Sequence, residues 1–243
     1  MRALMVALTM TLVGGGAAVG AVTPPPEVLR ESLRAQMRER FTHEAGPLVA
    51  AYIQAHPDVY QAFETKVIND LLSDKLDAAA TKAYAAEFSQ NVRKQAGAAT
   101  RLAPDEETVA LAKAQLGVMR SAAQTNYRAC YELHENHGLT ADTAMTVGPM
   151  LMAELDKMTS AQAQAIVAGE KTPVTHAAPG QDDAVAVMRA FVASGGDRDW
   201  LKAMGASTTD TLTPADRCKG SIKWLEAIVA QPKAVAARMF LGS

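Results

Sequence analysis

Four side chains in this sequence have the types and spacing for chemistry: Cys130, His134 and His137 in one stretch, and Cys218 far along the chain. At about 100° per helical residue, His134 falls about 40° and His137 about −20° from Cys130, so all three share one helix face. With Cys218 they supply the ligand types of a tetrahedral zinc or copper centre, although C-x3-H-x2-H on one helix is not a common metal spacing. A hydrolase is a related reading, with His134 or His137 as general base beside Glu132 or Glu135. A plainer chemistry competes with both. Cys130 and Cys218 are the two cysteines of the chain, and such a pair in an oxidising compartment forms a disulfide. The bridge closes a loop of 88 residues, worth roughly 4–5 kcal/mol through loop-closure entropy. The histidines then pack at the core edge, where a cationic ring near a helix C-terminus gains from the dipole. The expectation is therefore a Cys130–Cys218 bridge and no cofactor, with a zinc or copper site on His134, His137, Cys130 and Cys218 as the alternative.

No other catalytic signature accompanies these residues. His134-Glu135-Asn136-His137 is one residue short of HExxH, so its histidines lack the i,i+4 relation that zincins use. CxxC, CxxCH, GxSxG, a Walker A loop and GxGxxG do not occur. Asp70, Asp74 and Asp77 read as a solvated carboxylate ridge, and Asp182-Asp183 as a helix start that complements the dipole. A pair of separated carboxylates doing acid–base work would meet only in three dimensions.

The compartment assumed for the cysteines comes from the N-terminus. Met1-Arg2 precedes an uncharged apolar run from Ala3 to Val22, and Val19-Gly20-Ala21 has the small-residue pattern of a signal-peptidase site. Residues 1–21 are expected to be a signal peptide, which puts the protein in a periplasm or outside the cell. The alternative is an uncleaved anchor over 3–22, since ~20 apolar residues can span a bilayer. Membrane contact is expected through that segment alone.

Composition sets the fold class. Aromatic residues are 5% of the chain, and Ala, Leu, Val and Met dominate without β-branched runs or strict alternation, which predicts an all-α protein. Removing 21 residues leaves 222 of 243, enough for one larger domain or two small ones. The net charge of −2 excludes a global footprint for nucleic acid.

Helical patterning places the elements. The first mature helix is predicted over 25–42, with Leu29, Leu33, Met37 and Phe41 as a narrow stripe and Arg30, Arg34, Arg38 and Arg40 among glutamates on a solvated face. Gly46-Pro47 breaks it before a short apolar helix, and Pro57 opens another. Neither proline nor glycine occurs from there to Gln95, so one long helix is predicted, with Phe63, Val67, Leu71 and Leu76 along its stripe. Pro104 marks a boundary, and a helix from there is predicted to reach Asn136, ending at Gly138. Leu139-Thr140, Met158-Thr159 and Leu212-Thr213 each read as an apolar residue before a Thr cap, with Thr159 and Gln162 fitting a capping box. Met158-Thr159-Ser160-Ala161-Gln162 resembles the LTxxQ box of small periplasmic helical chaperones, but it occurs once and the capping box accounts for it, so no family is assigned. Gly148-Pro149 is predicted to kink or end the Thr140 helix. A loop over 171–181 precedes helices at 182–193, around Trp200, at 214–230 and at 233–241.

The expected organisation is an extended helical region over 22–103 and a helical bundle over 104–243. With no catalytic motif, the expected function is binding of a protein partner, as an envelope adaptor, secretion accessory or chaperone-like module, or self-association. Leu33, Met37, Phe41, Phe63, Val67, Leu71 and Leu76 are the candidate contact residues. The alternative is a metal-binding protein or hydrolase centred on His134 and His137.

Overall fold

The computed structural model describes residues 25–44, 47–73, 75–135, 139–206 and 211–242. Among them are eleven helices and no strand, so the chain is all-α as its composition predicts. They are α1 (Pro26–Glu44), α2 (Pro47–Ala55), α3 (Pro57–Leu72), α4 (Ala78–Arg101), α5 (Asp105–Thr125), α6 (Tyr127–Glu135), α7 (Ala141–Lys171), α8 (Gln181–Ala193), α9 (Arg198–Gly205), α10 (Pro214–Val229) and α11 (Lys233–Leu241). No helix among the described residues is long and apolar enough to cross a membrane. The segment expected to be a signal peptide lies outside them.

The chain divides into two compact units, Met1–Glu44 with Pro57–Gln90, and Ala45–His56 with Asn91–Ser243. The division falls inside α4, whose first half belongs to one unit and second half to the other.

In the first unit, the stripe of α3 is covered by the unit's own aromatics. Phe63 stacks on Phe88 with centroids 4.0 Å apart and on Tyr84 at 5.5 Å, and Val67 and Ile68 are buried beside it. The arginines of α1 dock that helix on α3. Arg30 Nη1 donates to Asn69 Oδ1 at 2.6 Å, and Arg38 Nε donates to Glu64 Oε1 at 3.0 Å, with Arg34 Nε 3.7 Å from the same carboxylate. Glu64 is buried, so these arginines hold a desolvated carboxylate that would otherwise be costly. Burial, and then the charge of Glu64, pushes the Tyr60 hydroxyl up to about 12.

The single helix predicted over 57–95 is interrupted between Leu72 and Ala78. Side chains that compete with helical hydrogen bonds make the break. Ser73 Oγ donates back to the Asn69 carbonyl at 2.7 Å, and Asp77 Oδ1 accepts the Ala80 N–H at 2.7 Å, capping α4.

The second unit is built around α5, against which α6, α7, α10 and α11 pack. One part of its core surrounds Cys130 and Cys218, with Ala112, Leu116, Met119, Leu133, Val147, Leu151 and Leu225. Another holds Val187, Phe191, Trp200, Ile228 and Met239. There Phe191 lies 5.4 Å from Trp200 and 6.0 Å from Trp224, centroid to centroid. Gly220 admits the Trp200 indole, because a Cβ there would come within 2.1 Å of it. Gly169 permits the close approach of α7 to α4, where a Cβ would lie 2.0 Å from the Ala99 carbonyl oxygen.

Two further boundaries differ from prediction. The helix expected from Pro104 to Asn136 is two helices, because Asn126 is extended at φ −160°, ψ 117° and its Oδ1 accepts the Arg128 N–H at 2.8 Å. That short amide starts α6 in a new direction. Conversely, α7 continues through both Pro149 and Thr159. Thr159 is thus interior to a helix and its capping box with Gln162 does not form. Proline lacks one donor and propensity favours a stop, but Val147, Leu151, Ala163, Ala165 and Ile166 along α7 are all buried. Packing overrides the local breaker.

Candidate functional site

Cys130 in α6 and Cys218 in α10 are bonded, with Cα atoms 5.7 Å apart, inside the range a disulfide needs. Both are fully buried. With the sulfurs in a bridge, the four-ligand zinc or copper set loses its two thiolates. His134 sits on the backbone of α6, while its side chain and the whole of His137 lie outside the described residues, so the two-histidine remainder has no geometry to assess. Among the described residues, no three His, Cys, Asp or Glu side chains converge as a metal site.

Of the two carboxylates read as partners for these histidines, the side chain of Glu135 lies outside the described residues and Glu132 is committed elsewhere. Glu132 is buried, and its Oε2 accepts from both the backbone N–H and the hydroxyl of Thr140 at 2.9 Å, while Oε1 accepts from Arg128 Nε at 3.0 Å. Thr143 Oγ1 lies 3.0 Å from the Thr140 hydroxyl. Burial alone would push this carboxyl up, but the hydrogen bonds from Thr140, Thr143 and Arg128 hold it below the usual carboxylate range. Glu132 therefore fastens the end of α6 to the start of α7, where a negative charge also meets the positive end of the helix dipole. Thr140 is the residue before α7, yet its hydroxyl bonds Glu132 and the Thr143 side chain and does not cap a backbone N–H of the helix.

Other acidic residues have structural partners too. Asp70 takes an ion pair with Lys66 at 2.6 Å, Asp77 caps α4, and Asp74 lies outside the described residues. Asp183 is gripped by Arg238 through two 2.9 Å bonds, and its carboxyl is lowered by that contact and by the Gly180 N–H.

The seven candidate contact residues separate by burial. Phe63 and Val67 are 5% and 1% exposed, so the helices of their own unit cover them. Leu33, Met37 and Leu71 are half-buried, as is Leu76, which lies in the break between α3 and α4. The side chain of Phe41 lies outside the described residues. The stripe is thus at its centre an intramolecular core.

An apolar surface that periodicity did not single out lies on the first half of α7. Met145, Met150 and Met152 are 74%, 66% and 50% exposed. Met145, exposed Pro149 and Met152 recur at i, i+4 and i+7, opposite the buried Val147 and Leu151. The sequence signal was available, because this half-helix is apolar on both sides and one side alone can face the core. Met145 and Met152, with Pro149 between them, form a flexible apolar strip, while Met150 is exposed on another side, about 140° round the helix from Met145.

The second unit also contains a cavity of about 340 Å³. Leu111, Val118, Met119, Leu133, Met158 and Phe240 give it apolar walls, and Gln115 and Gln162 bring two carboxamides to it. No match to the chain is found among protein-family models, curated proteins or solved structures.

Proposed function

We propose that this protein is an exported, helix-only binding protein that holds protein partners in a chaperone-like manner, without catalysis of its own. The observation that carries this reading is the methionine face of α7, where Met145 and Met152 flank Pro149 and stay largely exposed. Methionine is unbranched and polarizable, so such a face adapts to differently shaped apolar side chains without demanding one register. Its natural ligand is the apolar side of a helix or an unfolding segment of another exported chain. Export is inferred from the cationic start, apolar run and small-residue site of residues 1–21, and a Cys130–Cys218 bridge suits an oxidising compartment.

Light scattering from heat-unfolding citrate synthase tests the reading. A few-fold molar excess of the protein should suppress most of the scattering, and the M145S/M150S/M152S variant should lose most of that suppression while keeping its helical circular dichroism. The three side chains are exposed, so the variant should unfold within about 0.5 kcal/mol per site of the parent. Equal suppression by both proteins, or by neither, would remove the methionine face from the account.

A further inference from the structure

We infer that the cavity of the second unit is a binding site for a small uncharged amphiphile, an apolar body carrying one amide or hydroxyl group. This inference does not rest on the methionine face and names a separate site. The cavity of about 340 Å³ falls within the range of ligand pockets and far above the space of one water. At the filling by which a cavity of about 150 Å³ takes a benzene ring, it holds roughly thirteen heavy atoms.

The lining chemistry narrows the class further. Apart from Thr100, Gln115 and Gln162, every lining side chain is apolar, and no Lys, Arg, His, Asp or Glu lines it. Thr100 Oγ1 already donates to the Ala96 carbonyl at 2.8 Å. Among the described residues, neither the Gln115 nor the Gln162 carboxamide has a hydrogen-bond partner. Each offers two donors and an acceptor at an otherwise apolar wall, open to solvent and so available to a ligand that enters. The two amides lie on different helices, Gln115 on α5 and Gln162 on α7. A ligand that both donates and accepts satisfies them, as an amide or an alcohol does. A carboxylate meets only the donors and brings a charge with no counter-ion among the lining residues, which burial disfavours.

Decanamide and decanoate have the same number of heavy atoms, close to the capacity of the cavity, and differ in charge, so they are the probes. Isothermal titration calorimetry of the full chain at pH 7.5 should show saturable binding of one equivalent of decanamide. Decanoate should bind at least tenfold more weakly. The Q115L and Q162L variants keep the side-chain bulk and should each weaken decanamide by about tenfold, the worth of one hydrogen bond, with the melting temperature of the empty protein held or raised. No saturable decanamide binding below its solubility limit overturns the inference. Decanoate binding as tightly as decanamide, or unchanged affinity in both variants, overturns the assigned ligand class. The ligand contrast needs no substitution, so it stands even if a variant misfolds.

Discussion

The double variant C130A/C218A should unfold with about 4–5 kcal/mol less stability than the parent, because the bridge removes the freedom of an 88-residue loop from the unfolded chain. For a protein of this size about 1 kcal/mol corresponds to about 2–4 °C, so the melting temperature should fall by roughly 10–15 °C. The bridge links α6 to α10 within one core, and both sulfurs are fully buried. Thermal unfolding followed by circular dichroism, with and without reductant, checks the effect. Reduced parent protein should melt with the variant, and a variant melting within about 2 °C of the oxidised parent would show that the loop is restrained by other contacts.

Glu132→Ala should cost about 2–4 kcal/mol, since it strips a charged acceptor from the Thr140 N–H, from the Thr140 hydroxyl and from Arg128 in one step. Much of that loss should be specific to the junction of α6 and α7, and hydrogen exchange in the first turn of α7 should accelerate. The pH dependence follows from the same contacts. The folded carboxyl of Glu132 is held below its unfolded value, so between the two values the unfolded chain binds more protons. Its contribution is fully present above the unfolded value of about 4.3. It is lost as pH falls from there through the folded value. Glu132→Gln should therefore flatten the acid limb of the stability curve while lowering stability at pH 7. An acid limb as steep as the parent's would show that other carboxylates control it.

Proline and apolar-before-cap signals located most helix starts, because they act within one turn of chain. Pro47, Pro57, Pro214 and Lys233 after Pro232 open helices where predicted. The cysteine pair was legible from compartment chemistry alone. Breaks made by single polar side chains were harder to see. Asn126 and Asp77 interrupt stretches whose periodicity runs on unbroken, since a carboxamide or carboxylate can either face solvent or capture a backbone N–H. The converse holds in α7, which neither ends at Pro149 nor starts at Thr159, so strong local signals lost to its packing.

The candidate surface shows the limit of amphipathic reading most clearly. A stripe such as Phe63 and Val67 reports that a face will be covered but not by what, and the cover is Tyr84 and Phe88 of the same chain. The arginines of α1 likewise read as a solvated row, although Arg34 and Arg38 reach a carboxylate buried on α3. What distinguishes Met145 and Met152 is their place opposite the core side of one helix, which depends on knowing which side packs. The cavity beside Gln115 and Gln162 involves six helices, so no local pattern could have shown it.

Methyl resonances of the methionines report most directly on whether α7 is a binding face. With the methionine methyl groups carbon-13 labelled, reduced and carboxymethylated α-lactalbumin is titrated in as a permanently unfolded client. The resonances of Met145 and Met152 should shift or broaden together, while those of buried Met119 and Met239 stay in place. Client binding that leaves the Met145 and Met152 methyl groups unperturbed, or no perturbation anywhere, would contradict a chaperone-like role for this face.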